Sequence, residues 1–535
     1  MSKTYTPTPE DIAKREARKA EKAAKKAQVE ANGGVPPPNP NAPKILKREW
    51  VDVADAKGEE EGKKEVRRVT VATWNMLAQT LVRRDLFPGS DCLKFKDRSD
   101  MLSEELLAYP ADIICLQEED RLTSIPFPLV TPTATNFPNP TTESINEKSN
   151  SEPSSSTSTK PKYSAIQARG PKKKHGLAIV YDNRKLKVVD QGERVVRYDE
   201  EFISKRSEGD QDQEESLDQE RRRRGGTRQT KNIGLVVGLE FRDRPGKGVI
   251  VGTTHLFWHP QYAYERTRQA LLLLRTLLSY RVSLSTGVDG ECDWPIIVAG
   301  DFNTQPKEAV YHLLTHPTID LGAREKEEVA FSRAVHDSLA KVEQGILEDR
   351  KKKDEANGTE SKPEGQGEDG DGEGEAEDED DEKEEPASKD QPIPTDRPKG
   401  TRHSDPSDGL LVAEELQTMA KELLGNKGLR SAYADSNWLG AGEQGEKRKG
   451  LTFAGRGGEA EFGDNEPAWT SFTPLWRLTL DYLFDFPPPT ASAPMIRPRR
   501  LLLPHKTEDL EPGLPRKGVC ASDHTLLGVE YAFYE

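Results

Sequence analysis

The sequence predicts an α/β protein built in layers around mixed β-sheets. Two observations carry this. From about residue 66 onward, short apolar runs that read as buried strands alternate with longer helical patterns. Several neighbouring runs are joined by hairpin-length turns, so the sheets hold antiparallel as well as parallel pairs, which argues against a purely doubly wound sheet.

The elements follow in order. Val69–Asn75 alternates like a strand and stops at an Asn. Asp97–Tyr109 reads as a helix with Leu102, Leu106 and Leu107 on its apolar face. Ala111–Glu118 is a second buried strand, and it ends in a carboxylate. His175–Tyr181 is a strand placed after the basic cluster Lys172 to Lys174. Asn232–Phe241 and Gly248–His255 form a pair of strands turning around Pro245-Gly246. Tyr264–Tyr280 is a helix carrying Ala270, Leu271, Leu274, Leu277 and Leu278. The run Ile296–Ala299 is a strand leading into Gly300-Asp301-Phe302-Asn303, with a helix through Val310, Tyr311 and Leu314 beyond it. Trp469–Phe486 and Val519–Phe533 close the domain with strands, and no internal repeat is visible.

Composition sets the boundaries. The chain has 535 residues, 33% hydrophobic and 32% charged, too polar for all of it to pack into a core. Residues 1–65 read as a disordered basic arm: 10–31 is rich in Ala, Lys, Arg and Glu without an apolar stripe, and Gly33 to Pro38 is a breaker cluster. The arm is either solvated or an RNA-contacting or nuclear-targeting segment. Residues 66–535 then form one domain with disordered inserts at about 131–160, 204–230, 345–405 and 440–467. Of the formal net charge of −15, residues 351–400 contribute −11, so the low pI reports one insert and does not exclude nucleic acid from the remaining surface. Four cysteines (Cys92, Cys115, Cys292, Cys520) without a C-x-x-C pair argue against a disulfide scaffold or a zinc ribbon. With no run long enough to span a membrane and no signal-peptide pattern, the expected location is cytoplasmic, nuclear or both.

One pattern recurs: a buried strand stops and a polar residue stands at its end. Asn75, Glu118, His255, Asp301 with Asn303, Asp481, and Asp523 with His524 all fit it. Residues i and i+2 of an extended chain share a face, so Asp301 and Asn303 are expected to project together, with Gly300 letting backbone approach a ligand. Each residue also has a structural reading. Asn75 and Asp481 suit turns, Asp301 and Asn303 suit an Asx turn, and His255 and His524 suit buried, hydrogen-bonded histidines. Their joint occurrence in this order favours a site.

Thr73-Trp74-Asn75, Leu116-Gln117-Glu118, Thr254-His255-Leu256, Gly300-Asp301-Phe302-Asn303, Leu480-Asp481-Tyr482 and Ser522-Asp523-His524 together resemble the endonuclease/exonuclease/phosphatase superfamily. Within it the chain looks like the deadenylase branch. His255 to Pro260 followed by Glu265-Arg266-Thr267-Arg268-Gln269 most resembles the fungal RNA exonucleases of rRNA 3′-end maturation. The resemblance spans about residue 66 to the C-terminus without the inserts. It implies a four-layer sandwich: two mixed β-sheets packed face to face and flanked by helices. It further implies Glu118 as the main Mg2+ ligand with Asn75 and Asp523 beside it, Mn2+ being the alternative ion. Asp301 would orient or deprotonate the attacking water. Asn303, His255 and Asn232 would donate to the scissile phosphate. Asp481 and His524 would form an Asp–His pair.

The implied chemistry is physically coherent. Phosphodiester hydrolysis needs an in-line water, neutralisation of the non-bridging oxygens and help for the leaving oxygen. Mg2+ prefers hard oxygen donors, which this set supplies. The expected activity is a Mg2+-dependent 3′–5′ RNA exonuclease releasing 5′-monophosphates from single-stranded 3′ ends, either poly(A) tails or an rRNA precursor. Trp258 could stack on an unpaired base, with Phe257 either beside it or packed inward. Lys172 to Lys174 and Arg221 to Arg224 could track a phosphate backbone or be solvated loop charge. The first 65 residues cannot hold a leucine-rich-repeat domain, so docking to the large deadenylase complex through such repeats is not expected. The alternatives are another phosphoesterase, acting on 2′-5′ oligoadenylate, a dinucleotide or a lipid head group, and a non-catalytic RNA-binding scaffold.

Overall fold

The computed structural model describes residues 15–16, 19–20, 23–24, 44–53, 63–129, 163–205, 216–284, 292–340, 344, 398–490 and 492–535. Two sheets organise them. The first has seven strands, in spatial order Trp50–Asp52, Met495–Leu502, Leu527–Tyr534, Glu65–Asn75, Ile113–Glu119, Gly176–Asp182 and Tyr163–Arg169. The second has six, in the order Arg430–Ser431, Asp481–Asp485, Ile296–Asp301, Gly248–His255, Ile233–Phe241 and Leu186–Arg197.

Each sheet is mixed. Glu65–Asn75 runs parallel to Ile113–Glu119, and Gly248–His255 runs parallel to Ile296–Asp301. The other pairings in both sheets are antiparallel. A parallel pair needs a crossover, and a helix supplies it each time: Phe95–Ala108 in the first sheet and Ala263–Ser283 in the second.

Continuous apolar runs mean burial on both faces, and the alternation sorts the side chains between two layers. Val69, Val71, Ile113, Cys115 and Ile179 from the first sheet meet Leu235, Val237, Val251, Ile297 and Leu483 from the second. Their sequence neighbours Ala72, Trp74, Ile114 and Leu116 point outward onto Met101, Leu102 and Leu106 of the crossover helix. On the other side Val236, Ile250 and Val298 pack on Leu271, Leu274 and Leu277. The result is the expected four-layer sandwich, with the ends of both parallel pairs at one edge.

Several expected boundaries change. Part of the range 1–65 belongs to the fold: Trp50–Asp52 pairs with Met495–Leu502, and Ile45, Val51 and Val53 are buried. Arg48 locks this segment to the first crossover helix through Glu105 at 2.8 Å. Within 204–230, Leu217–Arg224 is a helix capped by Ser216, whose hydroxyl accepts from Gln219 N, and Thr227, Arg228 and Thr230 are buried after it. Thr401–His403 pairs with Ala334–His336, so the end of the range 345–405 belongs to a strand pair. Within 440–467, Gly442–Lys449 is helical and Leu451, Phe453 and Glu466 are buried. The expected insert at 131–160 and most of 345–405 lie outside the described residues. Leu107, expected on an apolar face, is 50% exposed. The 519–526 segment is loop; the closing strand is Leu527–Tyr534.

Candidate active site

Strand register assembles the site. In the second sheet His255 stands opposite Asp301, and Asp301 opposite Asp481, so three adjacent strands end in one row of His, Asp and Asp. In the first sheet Asn75 lies opposite Gln117. The register against Gly176–Asp182 then slips between Leu116 and Glu119, and Glu118 takes a left-handed backbone at φ 52°. A bulge of this kind re-aims a side chain. It turns Glu118 to the sheet end while Gln117 stays inside.

The two sheet ends meet directly. Asn75 Nδ2 donates to Glu118 Oε1 and to Asp301 Oδ2, both at 3.1 Å. Beneath them Gln117 Nε2 donates to Thr73 Oγ1 at 3.1 Å and to Thr253 Oγ1 at 3.0 Å, a second link between the sheets. Ala78 N donates to Glu118 Oε2 and Leu77 N to Asn75 Oδ1, each at 3.0 Å. His524 Nδ1 sits 2.7 Å from Asp481 Oδ2, and its Nε2 3.8 Å from Asp301 Oδ2. His255 Nε2 is 3.6 Å from the same Asp301 oxygen, and its Nδ1 4.0 Å from Glu118 Oε1. Asp301 Oδ2 thus stands among both imidazoles and the Asn75 amide.

Asp301 and Asn303 do not share a strand face as expected. The strand ends at Asp301, Asn303 turns left-handed at φ 49°, and its N–H donates to Asp301 Oδ1 at 2.9 Å. This is Asx-type turn geometry. It fixes the carboxylate, while Asn303 Nδ2 donates to Leu256 O at 2.9 Å. Gly300 also has a different reason from the one expected. A Cβ there would stand 2.2 Å from Thr254 O of the neighbouring strand, so the close approach is to backbone and not to a ligand.

The electrostatics follow from burial and from these neighbours. Burial pushes the Asp481 carboxyl up to about 6, against the pull of the His524 charge, and Asp301 pushes it the same way. Asp523 is likewise raised to about 6 by burial, with His524 opposing and the Glu118 charge adding to the rise. Burial works against the His524 cation, but Asp481, Asp523 and Asp301 outweigh it and hold the imidazole well above its ordinary range. Burial also raises Glu118, yet His255, His175 and the Asn75 amide bring it below its ordinary value.

These groups suit a divalent cation. Asp301, Asp481 and His524 offer ligand atoms within 4.8 Å of one another, a grouping that could hold a metal ion. A cationic His524 bound to Asp481 has no lone pair to give, however. Glu118, Asn75 and Asp523 supply oxygen donors only, the hard donors that a cation such as Mg2+ prefers.

Asn232 lies at the rim. Its Nδ2 donates to His255 O at 2.9 Å, and its Oδ1 accepts from Lys173 Nζ at 2.7 Å. Gly170, Lys173, His175, Lys231, Asn232 and His255 line a cleft there. Phe257 packs inward at 2% exposure, which settles its alternative readings. Trp258 is half-buried, its ring 5.1 Å from that of His259. Arg223 and Arg224 spend their guanidinium groups on the Phe202 ring, at 4.0 and 5.3 Å.

Four supporting residues were not among the sequence candidates. Thr470 Oγ1 accepts from Asp481 N at 3.0 Å, and Ser522 Oγ donates to Asn75 O at 2.7 Å. Gln117 and Arg98 are the others. Only Gln117 and Ser522 carried a signal, as members of the quoted motifs.

The chain matches the model of the Endonuclease/Exonuclease/phosphatase family over residues 72–334. It is similar to the probable RNA exonuclease C9B6.11c of Schizosaccharomyces pombe, at 30% identity over 67% of this chain and 62% of that one. It is similar to the RNA exonuclease NGL2 of Saccharomyces cerevisiae, at 30% identity over 63% of this chain and 58% of that one. It therefore spans about three fifths of the length of these two relatives. Among solved structures, the crystal structure of ANGEL2, a 2′,3′-cyclic phosphatase, covers 91% of this chain and 98% of its own, at 16% identity and a TM-score of 0.47.

Proposed function

The chain belongs to the endonuclease/exonuclease/phosphatase family, and from that premise we propose that it is a Mg2+-dependent 3′–5′ RNA exonuclease releasing 5′-monophosphates. One observation carries the proposal: Asp301 Oδ2 stands 3.6 and 3.8 Å from two imidazoles, one of them paired with Asp481 at 2.7 Å, beside the Asn75–Glu118 pair. A carboxylate that can accept a proton next to imidazoles that can meet a phosphorane is a hydrolytic arrangement. The names of the fungal relatives support RNA as the substrate.

Glu118, Asn75 and Asp523 would hold the Mg2+. When bound, the ion supplies charge neutralisation at the non-bridging oxygens. The chain's own residues do the rest. Asp301 orients the attacking water and takes its proton at Oδ2, while Asn303 N on Oδ1 keeps the carboxylate from turning. His524 remains cationic through Asp481 and faces the phosphorane with Nε2. His255 donates to a non-bridging oxygen. Lys173, tied to Asn232 in the cleft beside His255, would meet a phosphate of the strand. Trp258 offers a stacking face for an unpaired base. Poly(A) and an rRNA-precursor 3′ end are the two substrate classes proposed.

The test is a 5′-labelled single-stranded RNA, one form ending in oligo(A) and one in mixed sequence. Each is incubated with Mg2+, with EDTA, and with Glu118→Ala protein. Stepwise 3′ shortening that needs both Mg2+ and Glu118 supports the reading, and the ratio of the two rates tells a tail-shortening enzyme from a general trimmer. RNA left intact throughout, with 2′-5′ oligoadenylate or a dinucleotide hydrolysed instead, overturns it.

A further inference from the structure

We propose that Arg98 is a positioning residue for the metal site: it fixes the loop after Asn75 against the loop before Asp523, so that the metal ligands are set before a cation arrives. The inference rests on the reading that Glu118, Asn75 and Asp523 hold a divalent cation.

Arg98 lies on the Phe95–Ala108 helix and is 1% exposed. Its guanidinium makes four hydrogen bonds, all to neutral oxygens. Nε donates to Ala521 O at 2.7 Å, Nη1 to Gln79 Oε1 at 3.1 Å, and Nη2 to Met76 O at 2.5 Å and Leu77 O at 2.6 Å. The turn at 76–78 therefore has two sides. Its carbonyls go back to Arg98, while its N–H groups go forward, Leu77 N to Asn75 Oδ1 and Ala78 N to Glu118 Oε2. Leu77 holds a left-handed φ of 56°, a costly conformation for a branched residue that the surrounding bonds must maintain. On the other side Ala521 precedes Ser522, whose hydroxyl donates to Asn75 O at 2.7 Å, and then Asp523. One planar, five-donor group thus ties both ligand-bearing loops together, a span that the three donors of a lysine's single nitrogen reproduce only in part.

Charge alone makes the opposite prediction. The Arg98 charge acts on Asp523 and Glu118, so a cation beside the site should weaken binding of a second one, and removing it should strengthen binding. Positioning predicts weaker binding when it is removed. Loss of stability distinguishes nothing, because a neutral side chain leaves three buried carbonyls and the half-buried Gln79 Oε1 without this donor.

The experiment is Mn2+ binding to the full chain, read by electron paramagnetic resonance of the free ion, with near-ultraviolet circular dichroism to establish that each variant is folded. Arg98→Met is expected to bind Mn2+ about 10–100-fold more weakly than the unaltered chain, the range for groups that orient metal ligands. Arg98→Lys should fall between the two. Leu106→Ala, a buried change on the same helix, should lower stability and leave Mn2+ affinity alone. Binding by Arg98→Met that equals or exceeds that of the unaltered chain overturns the proposal. If Arg98→Met does not fold, Arg98→Lys decides: weaker binding supports positioning, and unchanged binding overturns it. Absence of Mn2+ binding by the unaltered chain overturns the metal-site reading and this proposal with it.

Discussion

Asn75 and Asp301 belong to different sheets, yet one hydrogen bond of 3.1 Å joins the Asn75 amide to Asp301 Oδ2 at the end where both sheets stop. Because the same Nδ2 reaches Glu118 Oε1, this amide keeps two carboxylates of opposite sheets in one geometry. Asn75→Ala should lower kcat by about 100–1,000-fold, the usual cost of removing one preorganised donor, with KM for RNA changed much less. Steady-state kinetics on the labelled RNA checks this. A drop confined to KM would show that the amide does not act on the reacting groups.

Asp481 and His524 meet at 2.7 Å in a buried pair and should act as a unit. Asp481→Asn removes the charge that keeps His524 cationic, and His524→Asn removes the cation itself. Each single change should cost nearly as much as the double change, since residues of one catalytic unit are strongly non-additive. A double-variant cycle on kcat/KM tests it, and additive losses would refute the pairing.

Much of this was readable in the chain because the fold places chemistry at strand ends, where a change from apolar to polar marks the residue. Asn75, Glu118, His255 and Asp301 stand at or next to such strand ends, whereas Asp481 opens its strand, Asp481–Asp485. Arg98 was not readable, because a charged residue on a helical pattern reads as solvated, and only the tertiary fold brings Ala521 to it. Thr470 escaped because its neighbouring strand, Ser471–Phe472, is two residues long and has no period. The strand Trp50–Asp52 was lost for the same reason. The helix at Leu217–Arg224 did leave a signal, the Ser216 to Gln219 capping pattern, hidden within a charged run. The position of Asn303 was misplaced by extending strand periodicity one turn too far.

Gly300 should tolerate no side chain. The Cβ of Gly300→Ala would lie 2.2 Å from Thr254 O, and neither strand can move without displacing Asp301 or His255. The change should destabilise the fold by roughly 2 kcal/mol or more, in the range of strained backbone substitutions. Urea unfolding measures it, and a loss below a few tenths of that value would contradict the packing described.

Trp258 separates substrate binding from chemistry. Its ring is half-buried against His259. If a base stacks there, Trp258→Ala should raise KM for RNA by about 5–150-fold, equivalent to the ~1–3 kcal/mol of one stacked base, and leave kcat nearly unchanged. Trp258→Phe should recover most of the loss. Equal KM values for all three proteins would remove Trp258 from the substrate path.

Glu466 should make stability fall as pH rises from about 4.5 to about 8. Its Oε1 accepts from Tyr311 Oη at 2.9 Å and from Ser431 Oγ at 2.5 Å on the buried side of the 440–467 segment, and Oε2 has no hydrogen-bond partner among the described residues. Burial raises this carboxyl to about 8, against an ordinary value of 4.5. The folded chain therefore holds a proton that the unfolded chain releases between those two values. The sign is fixed by that difference: the contribution is fully present below about 4.5 and is lost as pH rises through about 8. Across this window the loss amounts to several kcal/mol, on the order of 1.4 kcal/mol per pH unit at its steepest. Glu466→Gln keeps an oxygen for Tyr311 and Ser431 and cannot ionise. Urea unfolding at pH 6 and pH 9 should show the unaltered chain weakening between the two, and Glu466→Gln weakening less. Parallel declines in both proteins would mean that Glu466 is already ionised at neutral pH and that its charge is met by groups other than these two hydroxyls.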